Sequence, residues 1–192
     1  MVSGTELTLS LPQFPSSTIY ISLYTGITNA STIRTELLGG NTKYAYAFVD
    51  PRTILSLTHL LSSVYRALTD NSADLLRTRT LHSELVFDLS PNMNIADSLR
   101  RFGLKDDSDS VLVLKVDDAA DAKSDERKQR TFAAMDEIVE GTRVAVSDTE
   151  IAKLTDLELV RKNYKVSQGI SLTDTGYATT VVTGAVALRG YF

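Results

Sequence analysis

Apolar and polar positions alternate through Thr18-Ile-Tyr-Ile-Ser-Leu-Tyr24, which predicts a strand with one buried face. Asn29 is placed to cap a short helix through Leu38, and the Gly39-Gly40 pair supplies a left-handed stop. Tyr44 to Val49 reads as a second strand. Asp50-Pro51 then reads as a cap followed by proline at the first helical position. The helix it opens carries a stripe at Ile54, Leu57, Leu60, Leu61, Val64, Tyr65 and Leu68 and ends near Asp70-Asn71. Leu81 to Leu89 reads as a third strand. Asn94 caps the next helix, with Ile95, Leu99 and Phe102 on one side and Gly103 closing it. Val111 to Val116 is compact and apolar, as a buried strand should be.

The acidic, Ala-rich stretch at 117–125 shows no apolar anchor and is expected to be a mobile surface loop. A helix follows from Asp125 to about Val139, ending at Gly141, with shorter helices over Asp148–Leu154 and Asp156–Tyr164. In Thr173–Arg189 two signals compete. Thr179 to Thr183 favours a strand by propensity, whereas Tyr177/Val181/Ala185 and Ala178/Val182/Val186 are helix-spaced and Asp174 can cap. The segment is read as a helix with one apolar face, whose small residues Ala178, Gly184, Ala185 and Ala187 permit close approach of another surface. With no internal repeat or linker visible, residues 1–192 are expected to form one α/β domain. Its architecture is a roughly four-stranded mixed or antiparallel sheet packed with several helices and a C-terminal helix.

Composition narrows the chemistry. The 192 residues contain no Cys, which excludes disulfides, thiolate metal sites and a cysteine nucleophile, and suits a cytosolic or nuclear location. Met1 to Glu6 carries no basic or apolar signal, and no stretch approaches the roughly 18–20 apolar residues of a membrane span. The net charge of −4 argues against autonomous binding to a phosphate backbone. Only Arg77, Arg79, Arg100 and Arg101 suggest a local basic patch. His82-Ser-Glu84 has a His-x-Glu spacing but lacks the Cys pair that a zinc deaminase needs. Asp106, Asp107 and Asp109 have no EF-hand spacing and are explained by turn chemistry. His59, among apolar neighbours, reads as structural or surface and not catalytic. Neither a phosphate loop nor a nucleophile elbow is present, so no enzyme, metal or cofactor is expected.

The run Arg79-Thr-Leu-His-Ser-Glu84, Leu89-Ser-Pro91, Asn94-Ile95 and Phe102-Gly103-Leu104 resembles the signature of the TPRKB-type, kinase-binding subunit of the KEOPS (EKC) complex. Gln13-Phe-Pro15, Asn29-Ala30, Ile33-Arg34, Ala47-Phe-Val-Asp-Pro-Arg52 and Leu159-Val-Arg-Lys-Asn-Tyr-Lys165 extend it collinearly, and Ala187-Leu-Arg-Gly190 is similar to fungal members. The resemblance implies a non-catalytic subunit that docks on the small lobe of the complex's kinase-type ATPase and modulates it, with other KEOPS subunits as indirect partners and no membrane. The complex installs threonylcarbamoyl on tRNA, and fungal relatives are linked to telomere maintenance and transcription, in nucleus and cytoplasm. The family's kinase contact uses its C-terminal helix. That singles out Val181, Val182, Ala185, Val186, Leu188 and Arg189, with Ile95, Leu99 and Phe102 on a helix expected to lie beside it. Val186→Asp should then abolish binding and leave the fold intact. Archaeal relatives also hold the tRNA 3′ CCA end, for which Arg77, Arg79 and Arg101 are the candidates.

Overall fold

The computed structural model describes residues 4–190, so Met1–Ser3 of the N-terminal stretch lie outside it. Its elements gather into two units: Met1–Val49 with Leu104–Val146, and Asp50–Gly103 with Ser147–Phe192.

The first unit holds the sheet. Strands β1 (Leu7–Leu11), β2 (Phe14–Thr25), β3 (Ala47–Val49), β4 (Ser110–Asp117) and β5 (Thr142–Val144) are joined by helices α1 (Ala30–Leu38) and α5 (Asp125–Ile138). All pairings are antiparallel, in the order β1-β2-β4-β3, and β5 pairs with β2 at Leu23–Thr25. Among the described residues the sheet is therefore antiparallel with five strands where roughly four were expected, and the class is α/β as expected. Strand β2 was expected to bury one face, yet Ser17 to Tyr24 are all buried. Its β2–β4 register runs unbroken from Thr18↔Asp117 to Thr25↔Ser110, as a central strand's should. On one side Tyr20, Tyr24, Phe48, Val111 and Val113 share a core with Ile33 of α1 and with Phe132, Met135 and Ile138 of α5. Tyr20 meets Phe132 edge to face at 5.6 Å, and Tyr24 Oη donates to Asp136 at 2.7 Å.

Local chemistry explains the departures here. Asn29 precedes α1 without a side-chain cap bond. Its amide instead donates to Ile138 O (2.9 Å), and its oxygen accepts from Glu140 N–H (3.1 Å), tying α1's start to the end of α5. The left-handed stop is Gly40 alone, at φ +74°, while Gly39 stays helical. The expected strand from Tyr44 shrinks to Ala47–Val49, because Asn41 caps a 3-10 turn over Thr42–Tyr44. In the 117–125 loop an apolar anchor does exist: Ala122 is buried and its carbonyl accepts the Tyr20 hydroxyl.

The second unit is helical: α2 (Leu57–Ser72), α3 (Leu81–Asp88), α4 (Ile95–Phe102), α6 (Asp148–Leu154), α7 (Leu157–Tyr164) and α8 (Thr175–Ala187). Here Asp50-Pro51 opens only a 3-10 turn, Pro51–Thr53. Ser56 caps α2 by accepting from His59 N–H at 3.2 Å, so Ile54 lies outside the helix. The clearest correction is Leu81–Leu89, which is helix and not strand. Thr80 Oγ1 caps Ser83 N–H at 3.1 Å, and Glu84 reaches back to the N–H groups of Arg77 and Thr78. Glu84 through Leu89 are all buried, so no polar face remains to reveal a helical period.

Candidate docking surface

Helix α8 forms where strand propensity was strong because Asp174 caps it, accepting from Tyr177 N–H at 3.1 Å, and because one stripe can be buried. Ala178, Val182 and Val186 recur every four residues at 0% exposure. This inner stripe packs on α2, where Leu60, Val64, Ala67 and Leu68 are buried. A hydroxyl pair, Ser56 with Thr179 at 3.0 Å, pins the start of α8 to the start of α2. Arg66 of α2 closes the other end, donating Nη1 to Val186 O (3.0 Å) and Ala187 O (3.1 Å), carbonyls that a helix end leaves unpaired. Arg189, just beyond, is buried. It donates to Phe87 O at 2.6 Å, pairs with Asp88, and stacks on the Phe87 ring at 4.0 Å.

The opposite face of α8 is open. Tyr177 is 54% and Leu188 51% exposed, with Thr180, Val181, Gly184 and Ala185 between them. Pro91, Thr180, Val181, Gly184, Ala185, Leu188, Arg189 and Gly190 line an open groove of about 410 Å³. A Cβ built on Gly184 would meet nothing within 4 Å, so the glycine leaves a notch in the groove floor. Gly190 (φ +85°) closes one end, with the Met93 sulfur 3.5 Å from where its Cβ would stand. The arrangement offers shape and apolar area, with backbone and hydroxyl groups at its margin. Among the described residues that line it, Arg189 alone is ionisable.

The expected docking residues therefore separate. Val181, Ala185 and Leu188 belong to the open face. Val182, Val186 and Arg189, expected to contact the kinase, are buried within this chain and hold that face in place. Phe102 is also core, edge-on to Tyr164 at 5.7 Å. Ile95 and Leu99 are half-buried on α4, which packs on α3, while α8 packs on α2. Pro91, Tyr177, Thr180 and Gly190 complete the open face. Of these only Tyr177 had a sequence signal, through its helix spacing to Val181 and Ala185.

The basic candidates are not one patch by pairing. Arg77 and Arg79 are exposed on the α2–α3 connection, whereas Arg101 Nε lies 2.7 Å from Asp97 on α4. Arg101 lines a separate cavity of about 190 Å³ with Pro91, Asn92, Asn163, Tyr164 and Lys165.

His59 is fully buried, so of the structural and surface readings the structural one holds. Its Nδ1 accepts Leu55 N–H at 3.2 Å, so Nε2 carries the hydrogen and donates to Tyr164 Oη at 2.6 Å. Tyr164 in turn donates to Leu89 O. Burial lowers His59 to about 3 and raises the Tyr164 phenol, keeping both neutral.

Comparison with known proteins gives this surface a context. The family model for kinase binding protein CGI-121 matches residues 24–190. The EKC/KEOPS complex subunit CGI121 of Yarrowia lipolytica is 40% identical over 95% of this chain and 99% of its own length. The corresponding subunit of Aspergillus terreus is 36% identical over 98% of this chain and 99% of its own. That of Schizosaccharomyces pombe is 34% identical over 94% and 98%. With a match of this extent, the chain belongs to the CGI-121 family of kinase-binding proteins.

Proposed function

We propose that this chain is a non-catalytic subunit of the KEOPS (EKC) complex that docks on the complex's kinase-type ATPase through the outer face of α8. Bound there, it modulates the kinase and supports threonylcarbamoylation of tRNA, in nucleus and cytoplasm, with telomere maintenance and transcription downstream. The observation that carries the reading is the open apolar face Tyr177/Val181/Ala185/Leu188 in a chain of a kinase-binding family. Contiguous exposed apolar area of this kind is a usual mark of a protein interface. Docking helices present anchors at three- and four-residue spacing, as these residues do.

The test is co-elution of the purified chain with the KEOPS kinase subunit, followed by a tRNA threonylcarbamoylation assay with and without the chain. A stable 1:1 peak and a faster reaction are expected. Separate elution at micromolar concentrations would overturn the reading.

Contact with the tRNA 3′ CCA end is a second reading, favoured by Lys165 and Asn163 beside Arg101 at the smaller cavity. Filter binding of intact and CCA-trimmed tRNA distinguishes it: equal binding of the two excludes end recognition.

A further inference from the structure

Glu84 and Asp88 stand one turn apart on α3, and both side chains are fully buried. Glu84 Oε2 accepts from the N–H groups of Arg77 (3.1 Å) and Thr78 (2.7 Å). Asp88 Oδ1 pairs with Arg189 and lies 3.8 Å from Arg66 Nε. The other two oxygens, Glu84 Oε1 and Asp88 Oδ2, are buried and accept no hydrogen bond from any described residue. Carboxylate oxygens of Asp70, Glu84 and Asp88 lie within 4.8 Å of one another. A buried acceptor without a donor keeps the full cost of its desolvation, a larger cost when it is charged. Two of them in one buried cluster call for a proton or a cation, since the guanidinium Nε groups of Arg66 and Arg189, although buried there and themselves without a hydrogen-bond partner, do not satisfy them.

Charge decides what that is. Arg66 and Asp70 face the pair from α2, Arg189 from the end of α8, and Tyr164 of α7 is a neutral neighbour of Arg189. If every carboxyl were ionised, two guanidinium groups would meet three carboxylates. One proton removes the excess, whereas a divalent cation would reverse it beside two arginines.

We propose that Asp88 is held as the neutral acid in the folded protein and donates its Oδ2–H to Glu84 Oε1, making the buried cluster neutral and the clamp on the end of α8 proton-dependent. A single hydrogen then satisfies both orphan oxygens. Burial pushes Asp88 up to about 7, with Arg189 opposing and Glu84 adding to the rise. A carboxyl raised in the folded state favours folding most below its unfolded value near 3.8 and loses that contribution as pH rises to about 7. His59 contributes the opposite slope below its unfolded value of 6.5, so a reference lacking only the Asp88 titration is needed. The inference concerns the isolated chain and stands whether or not α8 docks on a kinase.

Asp88→Asn is that reference. Its carbonyl can accept from Arg189, and its amide N–H replaces the proposed proton toward Glu84. Carboxyl NMR titration of the full wild-type chain is expected to place Asp88 near neutrality. The wild-type folding constant, relative to D88N, should fall about tenfold per pH unit between pH 5 and 7 and level off above. Glu84→Gln, which supplies its own donor to Asp88 Oδ2, should lower the Asp88 midpoint and so gives a second readout if D88N fails to fold. An Asp88 midpoint below pH 5 in the wild type would overturn the proposal. So would a midpoint that moves with Mg²⁺, Ca²⁺ or EDTA, since a cation would then hold the place assigned to the proton.

Discussion

Val186 and Leu188 are two residues apart at the end of α8, yet one faces α2 and the other faces solvent. Truncating Val186 to Ala should lose about 2 kcal/mol in urea denaturation, from two buried methyl groups plus the space they leave. Val186→Asp should unfold the helical unit, because the carboxylate would be buried without a partner. At Gly184 the sign reverses. Replacing it by Ala should stabilise the chain by about 0.5–1 kcal/mol, since helical glycine is costly and the new methyl meets nothing. Gly184→Leu should keep the fold and obstruct docking by filling the notch. His59 supplies a pH signature: the folded ring stays neutral while the unfolded one protonates below 6.5. Stability should therefore decline as pH falls from 6.5 toward 3, and histidine ring NMR should show no protonation of His59 above about pH 4.

At the scale of elements, legibility followed whether a polar face survives to mark a period. In α4, α6 and α7 a capping side chain and a mixed surface coexist, and the sequence pattern places them within a residue or so, whereas in α2 it places the end but not the start. Helix α3 has lost its polar face, and Leu85-Val-Phe-Asp-Leu89 then looks like a strand. Two elements lay in stretches never read as strands, β1 and the three-residue β5, whose pairing partner β2 is distant in sequence for β5. Helix α8 does carry the apolar, small-residue face expected of it, but its inner and outer stripes could not be told apart. Both carry Val and Ala through the middle of the helix, and only contact with α2 assigns the Ala178/Val182/Val186 stripe inward. Arg66 shows the same gap. Nothing in its local sequence indicates that it caps α8, 120 residues away. Arg66→Ala should raise amide exchange at Leu188 and Arg189 several-fold and leave α4 unchanged, which hydrogen-exchange mass spectrometry can measure.

For the whole molecule, the sheet-bearing unit and the helical unit differ in what they expose. Every residue of the candidate docking face lies in the helical one, on segments 50–103 and 147–190. That face combines a rigid buried stripe, two arginine anchors and an open apolar groove, and no catalytic group is needed to use it. Calorimetric titration of the KEOPS kinase subunit with wild-type chain and with Ala185→Asp tests this most directly, after circular dichroism has confirmed that the variant is folded. Saturable binding by the wild type and at least a tenfold weaker affinity for A185D are expected. Equal affinities of the two proteins would contradict docking through the outer face of α8.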